Sequence, residues 1–372
     1  MTLDIFPTLH FLPRPGLTPG ALSFSRSGTA TRVDPRGRVE TVAADLLRHD
    51  FDPLTGAYLG WRVEEGRTNL LIRCRDASVA PWTRTGLTAT LDAEGLDGEA
   101  ATATALTAGQ AGATLYQSLT AASAAYTLSV DLKRLSGGGT VSLTLDGGAT
   151  WSEVTGQVVE DRYSRVSVTQ TVANPVAGLR LATAGDAVAA DFWQVEAGSF
   201  ATSRIPTTTA PVARGPDLLS LDTTADWFNP VEGTVYIEAS IAAASTAVKN
   251  LFSTLDAPDA VECSVNDPAE GVHVNSGAIA SGWTGSSPSG QAVAVGQPLR
   301  FALTHGPRGG AFVHDGTAFQ TFSTGKGWDT SQMAIGCQLR NGAQRFLNGH
   351  LRHFAVFPRC LSETQAVELT TL

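Results

Sequence analysis

The sequence predicts an all-β protein: two tandem antiparallel β-sandwich (jelly-roll) domains with an irregular N-terminal attachment segment. Three observations carry that expectation. Apolar residues recur at every second position in short runs, the period of a strand with one buried face. Gly and Asp turns separate these runs at the spacing of a sandwich. Charged residues make up 16% of the 372 residues and hydrophobic ones 42%. That charge fraction lies below the usual quarter, which suits sheets whose outer faces are Thr, Ser, Gly and Ala.

Residues 1–20 carry Pro7, Pro13, Pro15 and Pro19 among Ile5, Phe6, Leu9, Phe11 and Leu12. Proline at that density excludes a continuous helix or a central strand. Two readings stand equal: an arm that attaches to another protein, or an arm folded over its own domain. Residues 51–71 then read as a connector. Asp52-Pro53 and Thr55-Gly56 are turn dipeptides, and Leu59, Trp61 and Val63 alternate with Gly60, Arg62 and Glu64 as in a half-buried strand. The expected division is residues 1–67, 68–213 and 214–372.

In the second region Leu128, Val130 and Leu132 alternate with Thr127, Ser129 and Asp131. Val141, Leu143 and Leu145 do the same, followed by Val166, Val168 and Val172, then Leu179 and Leu181. Residues 205–216 read as a Pro/Thr linker. In the third region Val235, Ile237, Ala239 and Ile241 mark one strand and Leu299, Phe301 and Leu303 another. Asp315-Gly316 predicts a two-residue hairpin turn. Met333, Ile335, Cys337 and Leu339 alternate before residues 340–342, and residues 349–357 form a late strand, apolar on both faces at its end. Ser362 and Gln365 have capping-box spacing for a short terminal helix.

Composition narrows function. A formal net charge of −9 disfavours a nucleic-acid backbone, which rewards clustered Lys and Arg, and disfavours an anionic membrane. No apolar run has the length of a membrane span, and residues 1–11 lack the pattern of a signal peptide. Cys74, Cys263, Cys337 and Cys360 are scattered without metal-ligand spacing and read as buried free thiols. No cofactor motif is present.

Two stretches resemble phage proteins. Residues 29–71 hold Thr29 to Thr31, Asp34 to Gly37, Arg48, Asp50 to Gly56 and Glu64 to Leu71. That pattern is similar to a segment of bacteriophage tail-fibre and head-fibre proteins. Gln194, Glu196, Gly198, Thr202, Ser203, Ile205, Pro206 and Thr207 resemble the close of a carbohydrate-binding-module-like, galactose-binding-like jelly roll in the same family. Gly349, Leu351, Phe354 to Phe357, Arg359, Leu361, Ser362 and Gln365 are similar to the ending of concanavalin A-like, laminin-G-like sandwiches. The resemblance implies a virion fibre or spike, assembled in the host cytoplasm. It would join other virion proteins (capsid, spike base or tail) through the N-terminal segment, as a homo-oligomer. It further implies a bacterial surface polysaccharide as receptor, with no nucleic-acid or membrane partner. Lysine stands only at 133, 249 and 326, a usage that suggests a high-GC host and admits the head spike of a gene transfer agent. The rival classes are a decoration protein without glycan binding and a glycan depolymerase.

Chemistry is sparse. Thr144, Asp146, Gly148, Thr150 and Trp151 resemble the Asp box of sialidases, which is a folded turn remote from catalysis. Two carboxylates flanking a bond, as glycoside hydrolysis needs, do not stand out. Glu64-Glu65 reads as a structural salt link. His350 and His353 fall on opposite strand faces, against a shared metal. His305 and His314 lie near turns and read as surface residues. Sugar binding needs aromatic faces beside planar polar groups. Trp283 and Trp328 in Gly/Ser-rich stretches, with Asp329, Asn275 and Arg340 as polar partners, are the candidate carbohydrate-binding residues, against the plainer reading that each Trp plugs a sandwich end. Trp82, Trp193 and Trp227 read as core or interface.

Overall fold

The computed structural model describes residues 6–12, 20–243, 247–254, 261–280, 283–322, 328, 330–339 and 342–371. Among them the regular structure is strand, apart from a 3-10 turn at Thr155–Gln157 and the helix Glu363–Thr371. The chain forms two compact units. The first contains Met1–Gly28, Val42–Glu65 and Pro216–Leu372; the second contains Thr29–Thr41 and Gly66–Gly215. The alternating runs therefore close into sandwiches as expected, but residues 1–67 are not a body of their own. Their strands are shared out between the two units.

The first unit is a sandwich of an eight-stranded and a seven-stranded sheet. In the larger sheet the order is Thr317–Phe322, Gly310–His314, Leu299–His305, Gly233–Ile241, Gly349–Phe357, Tyr58–Val63 and His49–Phe51. Leu9–Phe11 also pairs with Gly349–Phe357, Leu9 opposite Val356. The folded-over reading of the N-terminal arm thus holds for that strand. Phe11 is buried against Trp61 and Phe354. In the other sheet Leu22–Ser25 takes an edge beside Leu218–Asp222. Trp61, Ile237, Phe252, Phe301 and Phe354 fill the space between the sheets, each fully buried apolar side chain stabilising by about 1.5–3 kcal/mol. The terminal helix covers the outer face, where Ala355 and Phe357 meet Leu361 and Ala366. That is why the last strand is apolar on both sides.

Polar residues of the connector segment are inside. Arg48 donates to Glu64 at 2.8 Å and to Asp217; Arg26 donates to the other oxygen of Asp217 at 2.9 Å. Arg62 bridges Asp50 at 2.9 Å and Glu64 at 2.7 Å, and His350 Nε2 lies 2.9 Å from Asp50. Three guanidinium groups meet three carboxylates. Burial opposes the charge of Arg48, but Asp217 and Glu64 outweigh it and hold its pKa above the ordinary value. Burial pulls the His350 pKa down, despite the hydrogen bond and charge of Asp50. Glu64 is the structural link that its sequence suggests.

The second unit packs two five-stranded sheets. One runs Ser164–Val172, Ala124–Ser136, Ala187–Ala197, Ala103–Ala108, Leu87–Ala93; the other runs Ser152–Glu153, Val141–Thr144, Val176–Leu181, Ala113–Ser118, Thr83–Thr85. Leu128, Val130 and Leu132 point into the core, as alternation predicts. Thr127, Ser129 and Asp131 are buried as well, which alternation alone does not foresee. The outer face is covered: Arg204 clamps Asp131 at 2.6 Å, and Thr31 donates to the Arg204 carbonyl at 2.6 Å. The supposed linker is part of this unit, since Ile205 is buried and Val212–Arg214 pairs with Arg67–Asn69.

The fibre-like ending of this unit is a hydrogen-bonded lock. Asn69 donates to the carbonyls of Trp193 and Ile205, both at 2.9 Å, and accepts from the N–H of Leu71 and Val195, both at 3.1 Å. Gln194 accepts from the Ile205 N–H at 2.7 Å and donates to Glu196. Thr202 gives Glu196 its N–H at 2.6 Å and its hydroxyl at 3.0 Å.

Candidate functional site

Of the five residues expected to bind carbohydrate, three lie among the described residues. Trp328 is 3% exposed and belongs to the first unit's core. It stacks on His305 with ring centroids 4.1 Å apart and touches Phe228 and Phe252. Its assignment to a sugar site is corrected: it plugs the sandwich. The Gly-rich flanks suggested a surface loop, yet the indole turns inward. Trp283 begins strand Trp283–Pro288 and Asn275 lies on the neighbouring Val272–Ala280. Their pairing partners differ, Ala280 for Trp283 and Ser286 for Asn275, so they are not cross-strand neighbours. Asp329 and Arg340 lie outside the described residues.

The histidine readings divide. His350 and His353 do go separate ways, the first to Asp50 and the second between the rings of His10 and Tyr236. His305 and His314 are corrected, because both are buried. Burial drops His305 to about 3 and lowers His314, whose Nδ1 lies 2.8 Å from Ser289 Oγ. A histidine next to a turn can still face inward when its strand position does. Cys74, Cys263 and Cys337 are buried free thiols, and Cys360 is half-buried and free.

An open cleft of about 840 Å³ lies in the first unit, beside the turn that joins Leu299–His305 to Gly310–His314. In that turn the Gly309 N–H donates to the Gly306 carbonyl at 2.9 Å, and Gly309 has φ of +110°. Pro307 presets the turn, which leaves Arg308 exposed at its tip. A Cβ on Gly306 would lie 3.0 Å from Cys360 Cβ and 3.2 Å from Glu232 Cβ, so glycine lets the walls approach closely. The facing wall is the start of the helix. Ser362 N–H donates to Gln365 Oε1 at 3.0 Å and Gln365 N–H to Ser362 Oγ at 3.3 Å, the predicted capping box.

Glu232, Arg308, Thr321, Ser362, Glu363 and Gln365 line this cleft. They offer planar charged and amide groups and hydroxyls, the partners that sugar hydroxyls require. Burial pushes the Cys360 thiol up, and the charge of Glu232 adds to the effect. A protonated thiol that donates to the Gly309 carbonyl at 3.4 Å is no nucleophile. The capping box is legible in the sequence, but the cleft is not. It exists because strand order brings residues 306–309 beside residues 360–365.

The Asp-box residues form a turn, as expected. Asp146 accepts from Thr144 at 2.7 Å, from the Thr150 N–H at 2.9 Å and hydroxyl at 2.6 Å, and from Gln170 at 2.8 Å. Gly147 and Gly148 take φ of +72° and +94°. Arg180 lies over the Trp151 ring at 4.7 Å. The Thr144, Asp146 and Thr150 side chains are engaged in holding the turn. Among the described residues no cluster of three or more His, Cys, Asp or Glu is arranged to hold a metal, and no helix is long and apolar enough to cross a membrane.

No protein-family model and no curated protein matches the sequence. Solved structures give partial likenesses. The carbohydrate-binding module CBM40 of the Ruminococcus gnavus IT-sialidase is 15% identical, with 38% of this chain and 84% of that one covered and a TM-score of 0.33. A heptameric SAP-like pentraxin from Limulus polyphemus is 16% identical over 37% and 69%, with a TM-score of 0.31. Trypanosoma rangeli sialidase is 15% identical over 65% and 32%, with a TM-score of 0.32. At such identities and scores these likenesses carry no inference about what this chain binds.

Proposed function

We propose that the chain is a non-catalytic fibre or spike component of a phage-like particle, and that it binds a bacterial surface polysaccharide in the first unit's cleft. The observation that carries this reading is the cleft itself: open, and lined by hydrogen-bonding side chains around Arg308. The virion assignment rests on the resemblance of residues 29–71 and 194–207 to phage-fibre segments. Arg48, Asp50, Glu64, Asn69, Gln194 and Glu196 are all buried. They maintain a frame, which leaves the exposed loops free to differ in what they recognise. Attachment to the particle is assigned to residues before strand Leu9–Phe11, where Phe6 is 83% exposed. Weak binding at a single site gains from several copies, in keeping with a homo-oligomeric fibre.

The test is a glycan array probed with the full chain, since a 214–372 fragment would lack four strands of its own unit. Arg308→Ala should lose polysaccharide binding while melting normally, and Gln365→Ala should lose it with a slightly lowered melting temperature, since it also removes half of the capping box. Equal binding by wild type and both variants removes the cleft from the reading. Glu232 and Glu363 line the same cleft, which favours a depolymerase as the second reading. Reducing ends released from capsule by the wild type, but not by Glu232→Gln, would establish it instead.

A further inference from the structure

We propose that the second unit carries a separate anion-binding pocket, suited to the carboxylate of an acidic sugar. The pocket holds about 220 Å³ and is walled by residues 36–38, residues 94–96, Gly98, Lys133 and residues 161–163. Four cationic side chains, Arg36, Arg38, Lys133 and Arg162, face two carboxylates, Glu94 and Asp161. This excess of positive charge sits in a chain of net charge −9. Arg162 is already paired with Asp161, at 2.8 Å and in the open. Arg36, Arg38 and Lys133 have no ion-pair partner among the described residues. Arg26, Arg48, Arg62, Arg75 and Arg204, by contrast, are each matched to a carboxylate.

The walls are held in place by bonds that leave those cationic groups free. Asp34 accepts the N–H groups of Arg36 and Arg38, both at 2.8 Å. Val39 N–H donates to the Leu96 carbonyl at 3.0 Å, Leu96 N–H to Asp191 at 2.9 Å, and Tyr163 Oη to the Glu94 carbonyl at 2.6 Å. Gly98 has φ of +79°, and a Cβ there would run into the Arg38 guanidinium. The guanidinium therefore lies against the Gly98 loop, whose positive φ favours glycine. Like charges held close repel one another, and a bound carboxylate relieves that repulsion while accepting from the planar Arg fork. The volume is below the usual range of about 300–1,000 Å³ for drug-sized ligands, which suits one sugar residue rather than a chain. That the anion is a sugar rests on the proposed glycan-binding function; the preference for an anion rests on this pocket alone.

The experiment is calorimetric titration of the full chain with digalacturonate, its methyl ester and inorganic phosphate. Digalacturonate should bind, and added salt should weaken it. The ester, and the acid titrated into Arg38→Ala or Lys133→Ala, should each bind about tenfold more weakly, the loss of one charge-assisted hydrogen bond. Both variants should melt as the wild type does. Equal affinity for acid and ester, undiminished binding by the variants, or no binding of the acid would each overturn the pocket. Phosphate bound as tightly as digalacturonate would overturn the sugar assignment. Failure of the cleft reading shows on the array with intact polysaccharide, so the two failures are told apart.

Discussion

Two buried polar clusters, the first unit's connector and the close of the second unit, are held by different means, although the second unit also buries Asp131 and Asp191 against Arg204 and Arg75. The first sets three guanidinium groups against three carboxylates beneath strand Tyr58–Val63. The second seals its fibre-like ending mostly with neutral groups, the Asn69 and Gln194 amides and the Thr202 hydroxyl, around the single buried acid Glu196. Burial lifts the Glu196 pKa, which eases the cost of keeping that acid inside. A charged cluster gains strength only while every member is present, because each charge removed strands another in low dielectric. A neutral network loses one bond at a time. The first unit's charged cluster should therefore be more brittle to substitution than the second unit's amide network.

The sharpest way to break this contrast is Arg48→Ala. It leaves Glu64 and Asp217 buried without their shared cation and should cost about 3–5 kcal/mol, seen as an early first-unit transition in urea. Asn69→Ala is the matching change in the second unit. It orphans two N–H and two carbonyl groups and should cost about 3 kcal/mol, with a first-unit transition that does not move. If the two substitutions proved equally harmful to both transitions, the units would not be independent in the way described.

Acid gives a third comparison. All seven histidines belong to the first unit. Burial holds His305 at about 3 and His353 at about 4 in the fold. The unfolded chain takes up these protons near pH 6.5, so stability is complete above that pH and falls as pH drops toward the folded values. His305 alone should cost the first unit about 2 kcal/mol at pH 5. The second unit, with no histidine and with the Glu196 pKa lifted by burial, should not lose melting temperature between pH 7 and pH 5. Melting curves that shift together would contradict the assignment.

What the sequence made legible was local. Period-two runs such as Leu128 to Leu132 and Val235 to Ile241 found their strands, and Asp315-Gly316 found its turn, with φ of +42° and +76°. Ser362 and Gln365 found the helix start. Pairing across long sequence distance was not legible. Nothing in Leu9–Phe11 announces that its partner is Gly349–Phe357, so an arm and an edge strand look alike. Trp328 misled for a related reason. The glycines that precede it describe only the backbone, whereas the direction of the indole is set by His305 and Phe252 from distant strands.

Residues 66–215 interrupt the first unit, and its opening strands pair with its closing ones. During synthesis the second unit can therefore mature while Trp61 and Phe11 still lack the strand that covers them. Until Gly349–Phe357 leaves the ribosome, that half-built sheet presents an open edge and bare aromatics, the point in the molecule's life when a chaperone is most needed.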